Sequence, residues 1–173
     1  MSPRIGWFIG GFVVALVFLV AAGYLFVIAG GVPMATSASP LPYEEKVAGM
    51  ALRASLRGAK NVKDPLPATD SNLSAGAAIY HDYCSACHGT PDHGLTPLAQ
   101  GMFPKPPQLF GGESVTDDPE GEIYWIVTNG IRLSGMPAFG KTLSDAQRWQ
   151  VTALLKHGEE LAPQVRTALT STR

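Results

Sequence analysis

The chain falls into three stretches by its pattern of apolar and polar positions. From Ile5 to Gly31 the residues "IGWFIGGFVVALVFLVAAGYLFVIAGG" carry no charge over 27 positions. As a helix rising ~1.5 Å per residue this run is about 40 Å long, enough to cross a hydrocarbon core of ~30 Å with some tilt. A cleavable signal peptide has an apolar run of only about 7–15 residues. The run is therefore expected to be an uncleaved single-pass anchor, residues 1–31, held in the lipid bilayer through residues 5–31. Trp7 and Tyr24 near its ends suit interfacial positions. Arg4 and the terminal amine precede the span, and the first charges after it are Glu44, Glu45 and Lys46. The bias of basic residues towards the inner side then predicts a cytoplasmic amino terminus and an exported remainder.

Residues 32–69 change character twice. "GGVPMATSASPLP" has no apolar period and reads as a flexible tether. In the next twenty residues Lys46, Met50, Arg53 and Arg57 recur at helical spacing, while Val47, Ala51 and Ala54 share another face. Five positive charges and no negative ones lie between Lys46 and Lys63. Such a basic helix suits anionic lipid, a docking partner, or a solvated linker alike.

Residues 70–173 carry the periodicity of one small domain. A helix is expected from about Leu73 to Ala86, with Gly76, Ile79, Tyr80 and Tyr83 on one face. A second is expected over 119–129, with Asp118 as N-cap, Pro119 at its first position and Gly130 as its stop. A third is expected over 145–157, where Ser144 and Gln147 make a capping box and Gly158 ends the run. Nothing alternates as a strand would, so the fold class is all-α. Between the first two helices lie about 30 residues rich in Gly and Pro, and a loop that long needs something to pack around.

Charge adds little: 13 basic and 14 acidic residues give no reason to expect a nucleic-acid partner. Cysteine adds a great deal. The only two, Cys84 and Cys87, stand in "YCSACHG", with His88 directly after the second. In C-x-x-C-H both thiols can add to haem vinyl groups while the adjacent imidazole takes the iron. A thioredoxin-type motif would need a βαβ setting, and structural zinc would need four ligands, with His81 or His93 to make up the number locally. A disulfide would close a trivial loop. One covalently attached haem c answers both the motif and the long loop.

A six-coordinate iron needs a second axial ligand, and Met or His serves. Met1, Met34 and Met50 lie in or near the anchor and tether, and Met102 follows His88 by only 14 residues. Met136, in "LSGMPAFG", is the favoured distal ligand: Gly135 permits close approach and Pro137 prevents coiling. His81, His93 and His157 are the rivals. Tyr80, Leu109, Phe110, Trp125, Ile126, Phe139 and Trp149 offer an apolar shell.

At this point "GAAIYHDYCSACHG", "PPQL", "IYWIVTNGIRLSGMPAFG" and the closing Trp-containing helix resemble a class I c-type cytochrome domain, similar to the membrane-anchored cytochromes of bacterial respiratory chains. The resemblance covers about residues 70–160. It implies a small all-α cytochrome c fold around one haem, in which Gly76 and Tyr80 cross the last helix near Trp149. It implies thioethers at Cys84 and Cys87, with His88 proximal and Met136 distal. A proline carbonyl, from Pro97 or Pro107, would orient the proximal imidazole.

With both axial positions filled by protein there is no open site for a substrate. The expectation is then an electron carrier, not an enzyme, passing single electrons between respiratory-chain partners outside the bacterial cytoplasmic membrane. The alternatives are a haem subunit fixed in a larger membrane oxidoreductase, and a haem sensor or peroxidase-like enzyme. "ESVTDDPEGE", residues 113–122, holds five carboxylates. It reads as a solvated loop or as a docking patch for a basic redox partner.

Overall fold

The computed structural model describes residues 3–111 and 115–170. Among them are eight helices and no strand: α1 (Pro3–Ile28), α2 (Glu44–Leu56), α3 (Asp70–Tyr83), α4 (Ser85–His88), α5 (Pro97–Gln100), α6 (Glu120–Asn129), α7 (Asp145–Lys156) and α8 (Pro163–Thr170). The chain separates into two units, 1–45 and 46–173. The first is dominated by α1. Its stretch Arg4–Ile28 has a mean hydropathy of 2.7, and the helix is long and apolar enough to cross a membrane.

In the second unit the helices begin where local chemistry caps them. The Thr69 hydroxyl accepts from the Asn72 amide at the start of α3. Ser144 and Gln147 form the expected reciprocal capping box on α7. The start of α6 differs from expectation by one position. Pro119, not Asp118, sits at the N-cap, and no side-chain bond closes it. Its carbonyl already accepts from Glu122 and Ile123, so the ring's fixed φ serves just outside the helix. The helical turn after Ala54 stops at Leu56, short of the basic run's end.

The core forms where α3 crosses α7 and α8, with α6 against the other flank of α7. Gly76 makes the crossing possible: a Cβ there would run into the backbone carbonyl of Gln150. Ala77, Tyr80, Val151, Leu154, Val165 and Leu169 are completely buried around it. Tyr80 meets Phe110 edge to face at 4.9 Å between centroids, a favourable arrangement of ring quadrupoles. Helix α8 was not anticipated from the sequence. Only Val165 and Leu169 mark its buried face, too few positions to reveal a period of 3.6.

Residues 56–63 pack against the start of α6. Leu56 and Ala59 are buried. The carbonyls of Ala59 and Val62 press on Gly121, where any Cβ would collide with them. Lys63 pairs with Glu120 at 3.3 Å.

Candidate haem site

The two cysteines and the histidine lie at a break between helices. Helix α3 ends on Cys84, whose amide still reaches the Tyr80 carbonyl at 2.8 Å. A new turn starts there, with the amides of Cys87 and His88 both donating to the Cys84 carbonyl. Positions three and four apart on a turn share a face, so Cys84, Cys87 and His88 point together. Gly89 ends the turn with φ 70°, and a Cβ there would meet the carbonyls of His93 and Gly94 at 2.8 and 2.9 Å. The buried Tyr80 hydroxyl donates to the Gly89 carbonyl at 2.9 Å, tying the exit of the motif back to α3. Burial raises the Tyr80 pKa, with a smaller contribution from Cys84, so the hydroxyl keeps its proton.

His88 is 8% exposed. Its Nδ1 lies 2.8 Å from the Pro107 carbonyl. A carbonyl only accepts, so Nδ1 carries the proton and Nε2 keeps a lone pair for a metal. Burial lowers the His88 pKa and the bond to Pro107 opposes that shift; the ring is held in its neutral, ligating form. Of the two prolines left open above, Pro107 makes the contact. Pro97 instead begins α5.

Cys84 and Cys87 are free thiols, half-buried, with no disulfide between them. Burial, and secondarily Cys87, pushes the Cys84 thiol up to about 12, so it stays protonated. Among the described residues no group of three or more His, Cys, Asp or Glu side chains could hold a metal ion, which leaves the zinc alternative without a ligand set.

Met136 sits in a loop built on the end of α6. Gly130 closes that helix at φ 66°, and a Cβ there would meet the Met136 carbonyl at 2.7 Å. The Ile131 amide donates to the same carbonyl at 3.2 Å, and the Met136 amide donates to the Ser134 hydroxyl at 3.1 Å. Past Met136 the chain returns along the helix, with Phe139 and Gly140 donating to the Val127 and Thr128 carbonyls. Carbonyls at a helix end that would otherwise lack partners are thereby satisfied. The Met136 side chain is half-buried and packs against the core cluster that also receives Cys84.

The rival histidines have other surroundings. His81 lies 3.3 Å from Asp82. His93 is exposed, and its backbone pairs with Thr90. His157 is exposed and caps α7. Within the apolar shell, Tyr80, Phe110, Phe139 and Trp149 are buried, while Leu109, Trp125 and Ile126 are half-buried. Glu113 of the acidic segment lies outside the described residues, and Glu120 is engaged by Lys63.

A neutral imidazole with one nitrogen tied back, two unpaired thiols on the same turn and a thioether in a pinned loop make a donor set that fits a covalently attached haem. The sequence reading passed over Met102, which the fold brings against Gly135. It also passed over Thr96, which caps α5 and whose hydroxyl donates to the Ala86 carbonyl inside the motif turn. The Thr-Pro pair at 96–97 was a visible helix-start signal.

The family model described as "Cytochrome C oxidase, cbb3-type, subunit III" matches residues 71–155. No curated protein sequence matches the chain. Among solved structures, a chain of the Kuenenia stuttgartiensis reducing HAO-like protein complex is 30% identical over 53% of this chain and 45% of its own length, with a TM-score of 0.44. The present chain thus spans less than half of that relative.

Proposed function

We propose that residues 71–155, the span matched by the family model, form an all-α c-type cytochrome domain, and that the chain is a membrane-anchored electron carrier with a single haem closed to substrates. Haem c, when bound, supplies one-electron exchange between Fe(II) and Fe(III). In this reading Cys84 and Cys87 hold the group covalently, His88 ligates from the proximal side and Met136 from the distal side. Pro107 keeps the His88 proton on Nδ1, so that Nε2 alone faces the metal. The observation that carries the proposal is that bond: it fixes the Nδ1–H tautomer of a buried imidazole and leaves Nε2 with a lone pair that could ligate a metal. Helix α1 supplies the anchor, with the haem domain on the outer side of a bacterial cytoplasmic membrane and redox proteins as its partners.

The test is an absorption spectrum of protein matured with haem in an exporting host. One haem per chain, surviving denaturation, is expected, with a low-spin spectrum and a Met-to-iron charge-transfer band. Cys84→Ser with Cys87→Ser removes the haem. Met136→Ala loses the band and lets the reduced iron bind carbon monoxide. A high-spin wild type, or wild type that takes carbon monoxide without denaturation, overturns the closed site and favours a sensor or peroxidase-like role.

A second reading has a specific observation in its favour. The matched family is described as a subunit of an oxidase, and packing of residues 56–63 on α6 shortens whatever tether remains free. Both suit a haem subunit held in a larger membrane oxidoreductase. Stoichiometric co-purification of partner subunits from membranes supports that reading, and isolation as a lone chain supports the carrier.

A further inference from the structure

We propose that Met102 is a positioning residue for Met136: its thioether side chain lies over the backbone of Gly135 and clasps the loop carrying Pro107 to the loop carrying Met136. The inference rests on the reading that Met136 ligates the iron. The segment 96–107 is tied to the motif at both ends. At one end the Thr96 hydroxyl donates to the Ala86 carbonyl, and at the other the Pro107 carbonyl accepts from His88. Between these ties the Met102 amide donates to the Ala99 carbonyl at 3.2 Å, and the Met102 side chain is half-buried. A Cβ on Gly135 would overlap the Met102 Cε and come within 3.5 Å of its sulfur. Met102 therefore occupies the space a side chain at 135 would fill. Gly135 does not have a positive φ, so the contact, not backbone conformation, is what keeps the position small.

The limb just before Met136 is bonded only within its own turn, where the Ser134 hydroxyl donates to the Ile131 carbonyl and accepts from the Met136 amide; Met102 reaches it from another loop. Leu133 adopts φ 61°, uncommon for a branched side chain, and is 94% exposed. Gly135 is exposed apart from its methionine neighbour. The limb after Met136, by contrast, is bonded to α6. An unbranched, polarisable side chain suits a gap between two irregular loops. Met102 thus adds a tie from the 96–107 segment to the limb that leads into Met136.

The experiment titrates the oxidised, haem-loaded full chain with imidazole and follows loss of the Met-to-iron charge-transfer band. Met102→Ala is expected to tighten imidazole binding about tenfold, within the coupling usual for residues in contact. Gly135→Ala is expected to act in the same direction, because its methyl displaces the Met102 tip without straining the backbone. In the double variant the second substitution should add little, since the displaced group is already gone. Met102→Leu should return the affinity towards wild type. Unchanged affinity in both single variants, or effects that simply add, overturns the clasp while leaving Met136 as ligand. Absence of the band in wild type overturns the Met136 reading itself.

Discussion

The imidazole of His88 donates from Nδ1 to the carbonyl of Pro107 at 2.8 Å, across 19 residues of chain. The bond joins the motif turn to the far end of the Gly/Pro-rich loop, so the long connection has a function in orienting one ring. It also decides the tautomer. Ring nitrogens are not equivalent once one of them is tied: Nε2 is the one left with a free lone pair.

Replacing His88 with Ala should therefore separate attachment from ligation. The haem is expected to stay on the chain through Cys84 and Cys87. The low-spin spectrum is expected to disappear in both oxidation states, with recovery when imidazole is added. A spectrum unchanged from wild type would mean another side chain is the proximal ligand.

Gly76→Val tests the helix crossing. The added Cβ meets the Gln150 carbonyl, which is backbone and cannot swing aside. Overpacking of this kind costs about 1–3 kcal/mol. The expected readout is a lower urea midpoint with an unaltered slope, measured by circular dichroism. An unchanged midpoint would refute so close an approach of α3 and α7.

Gly121→Ala tests the docked segment. A methyl there pushes against the Ala59 and Val62 carbonyls. Trypsin should then cut after Arg57 and Lys60 several times faster than in wild type, while the haem spectrum stays the same. Lys63→Ala alone should change little, because Lys63 is 82% exposed in its pair with Glu120 and exposed ion pairs contribute about 0–1 kcal/mol. Equal cleavage rates in Gly121→Ala and wild type would argue against docking.

Asp145 predicts an acid-side dependence. The Tyr124 hydroxyl, and then Arg148, hold its carboxyl below the usual range. A carboxyl whose folded pKa is depressed contributes stability above its unfolded value, about pH 4, and loses it as pH falls through the folded value. Asp145→Asn removes that contribution. The wild-type advantage in denaturant midpoint should be largest above about pH 4 and close below it. An advantage independent of pH would mean that the Asp145 charge is not its source.

The caps show how far local chemistry reaches. Ser144 and Gln147 stand three residues apart and bond each other's backbone, so their pairing was readable from the sequence. The spacing of Cys84, Cys87 and His88 is likewise a one-turn property, and it pointed to haem before any fold was known. At Pro119 the same local reasoning slipped by one position, because Asp118 and the proline both suit a helix start. Helix α8 escaped because a two-turn helix with two buried residues has no legible period.

What the sequence by itself determined is thus the chemistry available: two thiols one turn apart, an adjacent imidazole, one methionine flanked by Gly and Pro, and an apolar run long enough to span a bilayer. Tertiary structure alone decided that Pro107 and not Pro97 meets His88, that Met102 rests on Gly135, and that residues 56–63 lie on α6. These choices depend on how loops close between positions far apart in the chain. Loop closure is nearly indifferent to the exact number of residues spanned, so spacing carries little information about it. Only packing of the finished core selects which contacts are made.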